Sequence, residues 1–487
     1  MLRLDGAAAF DKPIKAGFWR GLFFGFGYFL FGFYWISAAF VARGSDYVMI
    51  MPFAVLLFCF GLSLFWAAAS ALYVKLVGGS RRPIRALIFA GLFFLTEYAR
   101  GHILSGLPWN LPGYVFEAGK PVSQFASVVG VYGLSALILF LSAALAVLMS
   151  PNRREVWPAV ASVSVLAGLY GYGHNRLENS ETAYVEDVTL RIVHARIPQR
   201  DKFDSDKYTQ NANHYLQLTV SPGFDEVTHV IWPEGAVPGL MLEDASLMAA
   251  LDDVFNSGTG NPPVFITETV REERIPGKLN PRYYNSAAAI TFDPVAPPQQ
   301  TSFYDKRNLV PFGEHIPGGE FVETLGLQAL STAMVSISPG RTRNVPTIPG
   351  LPPVSIQICY EIIFPGFTPK ILEPSGQEPQ WILNLSNDAW YGNSTGPQQH
   401  INQAGYRAIE EGLPVVRSTS GGISGVINAY GRIDAKLGVF DNGVLDARLP
   451  RITEENIYNR FVNPIIALII LLILISCWWR LHAQRDV

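Results

Sequence analysis

Ile356-Gln357-Ile358-Cys359-Tyr360-Glu361 is a short apolar run that ends in a thiol, an aromatic ring and a carboxylate. With Pro353 before it, the run reads as a strand from Pro353 to Cys359. Two further strand-like runs end in reactive groups. Thr228-His229-Val230-Ile231-Trp232 leads into Pro233-Glu234, and the segment Tyr304 to Glu314 carries Lys306 and, eight residues later, Glu314. In open α/β sheets, sites collect where strands end and loops begin. Three such ends therefore mark one candidate site.

The rest of the segment supports an α/β domain. Val188–Val193, Pro263–Thr267, Ser286–Thr291 and Trp381–Leu385 read as further strands. Gly396–Glu411 reads as a helix, stopped by Gly412 and Pro414. The Pro-rich stretches Pro294–Gln300 and Pro346–Pro353 read as loops. Sheets covered by helices account for this mixture.

A thiol is a weak nucleophile until it loses its proton, and a nearby carboxylate can take that proton. A nearby ammonium favours the thiolate and stabilises an oxyanion. The main-chain N–H of Tyr360, directly after the thiol, is a second candidate oxyanion donor. Alone, a Glu or Lys is a solvated surface group and a buried Cys a small hydrophobe. The combination of all three at strand ends is far more specific.

Charge divides the chain. Only 16% of the 487 residues are charged, against about 25% in soluble proteins. Residues 1–180 hold 21 charges, 181–460 hold 53 and the last 27 hold three. The low charge and 13% aromatic content exclude a disordered chain. A net charge of −3 without a basic face excludes a nucleic-acid binder. Of the three cysteines, Cys59 and Cys477 lie in apolar runs, so Cys359 has no partner for a disulfide within its domain.

Six apolar stretches match the roughly 20 residues a bilayer requires. They are Gly21–Val41, Val48–Tyr73, Ala86–Leu104, Ser123–Met149, Trp157–Gly173 and Phe461–Trp479. Glu97 and Arg100 interrupt the third and are placed to pair at i,i+3. Such a pair at membrane depth is either functional or structural. Loops rich in Lys and Arg alternate with loops holding Arg43 and Lys120 only. The positive-inside rule then puts both termini in the cytoplasm and residues 181–456 on the outer side, the periplasm in a bacterium. The four basic residues of the first 20, with no apolar core, do not make a cleavable signal. The loop Gly106–Tyr114 falls outside as an aromatic anchor or a wall of a lipid site. The fold class is thus a multi-span α-helical membrane bundle plus an α/β domain. The domains are 1–180, 181–456 and 457–487.

Together these motifs resemble the nitrilase, or carbon–nitrogen hydrolase, superfamily, with its Glu, Lys and Cys in that order. Within it the chain is similar to the bacterial apolipoprotein N-acyltransferases. The resemblance rests on Trp232-Pro233-Glu234, Lys306 with Leu309-Val310-Pro311-Phe312-Gly313-Glu314, and Cys359-Tyr360-Glu361-Ile362-Ile363. Leu385–Gly392, Gly396–His400, Arg417-Ser418-Thr419 and Gly422-Ile423-Ser424 extend it. In the apolar half, Leu95-Thr96-Glu97, Arg100-Gly101, Pro108-Trp109 and Gly113-Tyr114 agree.

The resemblance implies a nitrilase-like αββα sandwich. It implies Glu234 as general base, Lys306 as oxyanion stabiliser and Cys359 as nucleophile, with Glu314 supporting them. Tyr360 and Glu361 would flank the nucleophile, and Asn387 and Trp390 would shape the pocket and its lid. A membrane phospholipid would be the acyl donor. The acceptor would be a diacylglyceryl lipoprotein, reached through a thioester in the bacterial inner membrane. No metal or cofactor is expected, because His194, His229, His315 and His400 are not at ligand spacing. Two features depart from the family. Its members usually have eight spans, so an N-terminal pair has no counterpart here. Phe203 stands where some members have tryptophan. The rival readings are a membrane-anchored amidohydrolase that uses water, and a non-catalytic scaffold.

Overall fold

The computed structural model describes residues 1–77, 84–146, 157–258, 260–277, 280–311, 313–315, 337–341, 347–369 and 376–453. Beyond these it describes 468–469, 471–473, 475–476 and 479. The chain divides into two compact units. One is Met1–Ser180 with Ile409–Gly412 and Glu454–Val487, and the other is Glu181–Ala408 with Leu413–Thr453.

The first unit is helical among its described residues. Helices Met51–Val77 and Val122–Ala146 are long and apolar enough to cross a membrane. Helices Pro13–Phe33 and Ile36–Arg43 do so only if taken as one span, and they are bent by 52° at the break between them. The expected span Gly21–Val41 is therefore not a single straight helix. Ile84–His102 and Trp157–Glu178 are helices where spans were expected. The first is interrupted by Arg85, Glu97 and Arg100, and the second is diluted by serine, tyrosine and histidine. Most of Phe461–Trp479 lies outside the described residues.

Glycine spacing sets one close helix pair. Gly17, Gly21 and Gly25 form one buried i,i+4 row on Pro13–Phe33. A Cβ at Gly21 would lie 2.6 Å from the main-chain oxygen of Trp66, on Met51–Val77. Only a residue without a side chain lets two helix backbones approach this closely.

Glu97 and Arg100 are each almost fully buried and pair at 2.5 Å. Trp66 Nε1 donates to Glu97 Oε1 at 2.6 Å, and Arg100 Nη1 donates to the Leu107 carbonyl at 2.5 Å. The loop that follows is inward-looking. Trp109 is 2% exposed, with its ring 5.0 Å from that of Trp35. Trp109 thus packs inside the helical unit, in a loop expected to be an aromatic anchor or a wall of a lipid site.

The second unit holds two sheets. The strands are β1 (Tyr184–His194), β2 (His229–Ile231), β3 (Val264–Glu273), β4 (Arg282–Asp293), β5 (Ala296–Asp305) and β6 (Val354–Ile358). They continue with β7 (Trp381–Asn387), β8 (Val415–Ser420), β9 (Ser424–Ile427), β10 (Ile433–Leu437) and β11 (Gly443–Pro450). The six-stranded order is β11-β1-β2-β3-β4-β5, and the five-stranded order is β10-β9-β8-β7-β6. β1, β2 and β3 run parallel, as do β6, β7 and β8.

Alternation along the strands builds two cores. Leu190, Ile192, Ala287 and Ala289 join Ile356, Ile358, Leu383 and Val416 in one cluster, so both sheets contribute to it. Val193, Phe265, Ile290 and Phe292 face the other way. There they meet Tyr215 and Leu216 of helix Tyr208–Thr219 and Leu251 and Phe255 of helix Ala245–Phe255. Fully burying one such side chain contributes about 1.5–3 kcal/mol.

One loop expectation fails. Much of Pro294–Gln300 belongs to β5, the edge strand of its sheet. Pro297 and Pro298 fall where the register with β4 shifts between Thr291 and Asp293. A bulge on an edge strand tolerates residues that have no N–H to donate. Threonine 347 to Pro353 is irregular, as expected, and Pro346 lies outside the described residues.

Candidate active site

Strand direction gathers the site. β2 stops at Ile231 and the chain turns through Trp232 and Pro233 to Glu234. β6 stops at Ile358 and Cys359 opens a short 3₁₀ turn, Cys359–Ile363. β7, parallel to β6 and paired with it, ends at Asn387. β5 ends at Asp305, directly before Lys306.

Cys359 has a positive φ of 50°. A non-glycine residue in that region costs roughly 1–3 kcal/mol, and such strain clusters at functional sites. The side chain is 9% exposed and packs at the rim of the apolar cluster shared by the two sheets. Burial, and then the nearby charge of Glu234, push its thiol up; Lys306 and a hydrogen bond with Ser386 pull the other way. The balance of these influences favours the thiol over the thiolate.

Lys306 is 1% exposed. Its Nζ donates to Glu314 Oε1 at 2.9 Å and lies 3.6 Å from Glu234 Oε1. Burial works against the ammonium, but Glu314 and Glu234 outweigh it and hold the amine well above its ordinary value. Glu314 is fixed in turn by the Val310 N–H at 2.7 Å. Glu234 receives the Asn387 N–H on Oε2 and Asn285 Nδ2 on Oε1, each at 2.8 Å.

Glu361 ties two loops together. Its Oε1 accepts from the N–H groups of Arg307 and Asn308 at 2.7 and 3.0 Å, and its Oε2 from the Ile358 N–H at 2.8 Å. Tyr304 OH donates to both oxygens at 3.0 Å. One buried carboxylate thus fixes the main chain after Lys306 against the main chain before Cys359. Tyr360 follows the thiol directly, and its ring packs edge-on to Phe364. Trp390 lies on the turn after β7 with its ring 6.2 Å from that of Phe203.

Two comparisons bear on these residues. The family model described as carbon–nitrogen hydrolase matches residues 190–457, and the one described as apolipoprotein N-acyltransferase N-terminal domain matches residues 7–144. A Caulobacter vibrioides protein named apolipoprotein N-acyltransferase is 36% identical, over 95% of this chain and 85% of its own length. The chain belongs to the apolipoprotein N-acyltransferase family. Proteins of the same name from Rhodopseudomonas palustris and Bradyrhizobium diazoefficiens are each 37% identical. They match over 97% and 99% of this chain and 88% and 89% of their own lengths.

In this family member the structure adds residues that were not among the candidate site residues. Asn285, the fourth residue of β4, bridges Glu234 and Glu314 through one amide nitrogen, at 2.8 and 3.0 Å. Glu268 on β3 accepts the Gly235 N–H at 2.8 Å. Lys202, in the short helix Gln199–Lys202 after β1, donates to Asn387 Oδ1 at 2.8 Å. Asp388 is buried between Arg417 Nη2 at 2.6 Å and His400 Nδ1 at 3.0 Å. Burial opposes its charge, but Arg417 and then His400 hold its carboxyl well below the usual range.

Chemically the arrangement offers a protonated thiol, an ionisable carboxylate with both oxygens held, and an ammonium locked between two carboxylates. Such a set can move a proton off sulfur and stabilise an oxyanion during acyl transfer.

Proposed function

We propose that this chain moves an acyl group from a membrane phospholipid, through a thioester on Cys359, to the N-terminal amine of S-diacylglyceryl-cysteine lipoproteins. The observation that carries this reading is Lys306 Nζ, held between Glu314 at 2.9 Å and Glu234 at 3.6 Å beside a thiol on a strained turn. The catalytic residues are Glu234, Lys306 and Cys359. Glu314, Tyr360, Glu361, Asn387 and Trp390 support them.

The first half-reaction begins with a neutral thiol. Glu234 takes the thiol proton as sulfur attacks the ester carbonyl. Lys306 and the Tyr360 N–H stabilise the oxyanion. The carbon–oxygen bond then breaks, and Glu234 returns the proton to the departing lysophospholipid oxygen. In the second half-reaction the acceptor amine attacks the thioester. Glu234 takes a proton from nitrogen, the carbon–sulfur bond breaks, and that proton restores the thiol. Atoms and charge balance over the cycle.

The same reading makes the protein a multi-pass protein of the bacterial inner membrane. Its regions are helices in 1–180, a periplasmic catalytic domain over 181–456 and a final span with tail over 457–487. The two sheets become the inner layers of an αββα sandwich, a reading supported by their shared apolar cluster.

Purified protein in phospholipid micelles, analysed by intact mass, tests the reading. The expected result is an acyl adduct on Cys359 that persists in water until an S-diacylglyceryl-cysteinyl peptide with a free amine removes it. An adduct that hydrolyses equally fast without the peptide makes the chain an amidohydrolase instead. An adduct that still forms in Cys359→Ala sinks the mechanism.

A further inference from the structure

The site contains a second buried lysine that the mechanism above does not use. Lys202 is 2% exposed. A buried ammonium is rare and has to be paired. Its one hydrogen bond to a side chain among the described residues goes to Asn387 Oδ1, at 2.8 Å. The main-chain N–H of that same Asn387 is the donor that holds Glu234 Oε2 at 2.8 Å. Asn387 also turns its Oδ1 toward the Ala389 N–H at 3.3 Å, so the side chain caps the turn that carries its own peptide. Lys202 therefore grips the residue that aims the base.

The charges agree with this geometry. The groups acting on Lys202 are Glu234 after β2, Asp388 after β7 and Glu268 on β3, and its own charge reaches His194 at the end of β1. Three carboxylates, Glu234, Glu314 and Glu268, feel the charge of one catalytic cation, Lys306. Lys202 is the second cation, acting on Glu234 and Glu268. Burial brings its amine down to about 7. Its charge is consequently lost on the alkaline side of neutrality, while burial, and then Glu234, raise the Glu268 carboxyl to about 8, so that Glu268 gains its charge over the same range.

We propose that Lys202 is a positioning residue for acyl transfer: its ammonium fixes Asn387 so that the Asn387 N–H holds Glu234 in line with the Cys359 thiol. The proposal deepens the reading of Cys359, Glu234 and Lys306 as an acyl-transfer centre and rests on it. Displacing a catalytic group by about 1 Å can cost on the order of 100-fold in rate.

The test is single-turnover acylation of Cys359, read by intact mass, with full-length protein in mixed micelles of a diacyl phosphatidylethanolamine across pH 6–9. Unmodified protein is expected to acylate with a rate that falls on the alkaline side as Lys202 loses its proton. Lys202→Met is expected to acylate about 100-fold more slowly at pH 7, with the alkaline fall gone and the dependence on donor concentration unchanged. Lys202→Arg, which cannot lose its charge, is expected to recover most of the rate and to hold it at high pH. Thermal unfolding of each variant checks that it folds, and alkylation of Cys359 by iodoacetamide gives a readout that needs no lipid. Lys202→Met at the unmodified rate overturns the proposal while leaving the acyl-transfer reading intact. So does an equal loss in both variants with an unshifted pH profile, which is what a purely structural lysine gives. Absence of any adduct in the unmodified protein overturns both.

Discussion

Glu97 and Glu234 are both buried carboxylates with a cation nearby, one in each unit of the molecule. They teach opposite lessons. Glu97 meets Arg100 one helical turn away at 2.5 Å and takes the Trp66 indole N–H as well. One charge answers one charge, and the guanidinium's remaining reach is spent on the Leu107 carbonyl. Nothing there is left to react. Glu234 shares Lys306 with Glu314, at 3.6 Å against 2.9 Å, and is held by neutral amides of Asn387 and Asn285. Under the proposed mechanism, the closer pairing of the lysine with Glu314 leaves Glu234 to act as the base. A closed pair makes architecture, and an unevenly shared one makes chemistry.

The sharpest way to break this comparison is at the thiol beside Glu234. Cys359→Ala is expected to abolish the acyl adduct entirely, with thermal unfolding unchanged within about 1 kcal/mol. Lys306→Met is expected to lower acylation by at least about 1000-fold, since it removes both the proposed oxyanion donor and the partner of Glu314. Mass spectrometry reads both.

The closed pair gives the next effect, and it falls on stability instead. Glu97→Gln strands Arg100 in a buried site and is expected to destabilise the helical unit by about 3–5 kcal/mol. Replacing both partners, as Glu97→Leu with Arg100→Leu, is expected to recover most of that loss. Thermal unfolding in micelles distinguishes the two. Were the single and double variants equally damaged, the pair would not be architecture alone.

Glu361→Gln sharpens the comparison further, because Glu361 is closed like Glu97 yet lies at the reactive site. Its carboxylate accepts from three main-chain N–H groups. Losing the charge is expected to cost about 1.5–3 kcal/mol of stability and to slow acylation while the adduct still forms.

The smallest effect is a pH slope. His194 is buried with Nδ1 2.8 Å from Ser424 Oγ, and burial holds its imidazole down to about 4. An unfolded histidine titrates near 6.5. Between those values the unfolded chain binds the proton that the folded chain refuses. Stability therefore rises with pH across that window and is complete above it. His194→Gln is expected to flatten the slope, by at most ~1.4 kcal/mol per pH unit, in unfolding midpoints measured from pH 4.5 to 7.

Much of this could be read from the chain alone. The runs at Val188, His229, Val264 and Trp381 were legible as strands because apolar residues concentrate in them. Cys359 and Glu234 were legible because they stand where apolar runs stop, and Lys306 and Glu314 because the segment Tyr304 to Glu314 carries them together in the pattern that resembles the family's. β5 was not legible, because its prolines read as a loop until an edge position and a bulge excuse them. Asn285 gave no signal either. An asparagine inside a strand becomes a bridge only when register sets it opposite Val270 and near two loops that are distant in sequence. Lys202 gave no signal of its own for the same reason.

The sequence by itself determined what is local: which segments are apolar, where strands stop, and that Glu97 and Arg100 share a helix face. Those follow from periods of two and 3.6 residues, which a chain carries in its order. Only the tertiary structure decided how Glu234, Lys306 and Cys359 meet, which carboxylate takes the lysine more closely, and that Lys202 and Asn285 join them. These depend on parallel strands ending at one edge and on burial, which removes water as a competing partner. No residue carries either property until the whole domain has folded around it.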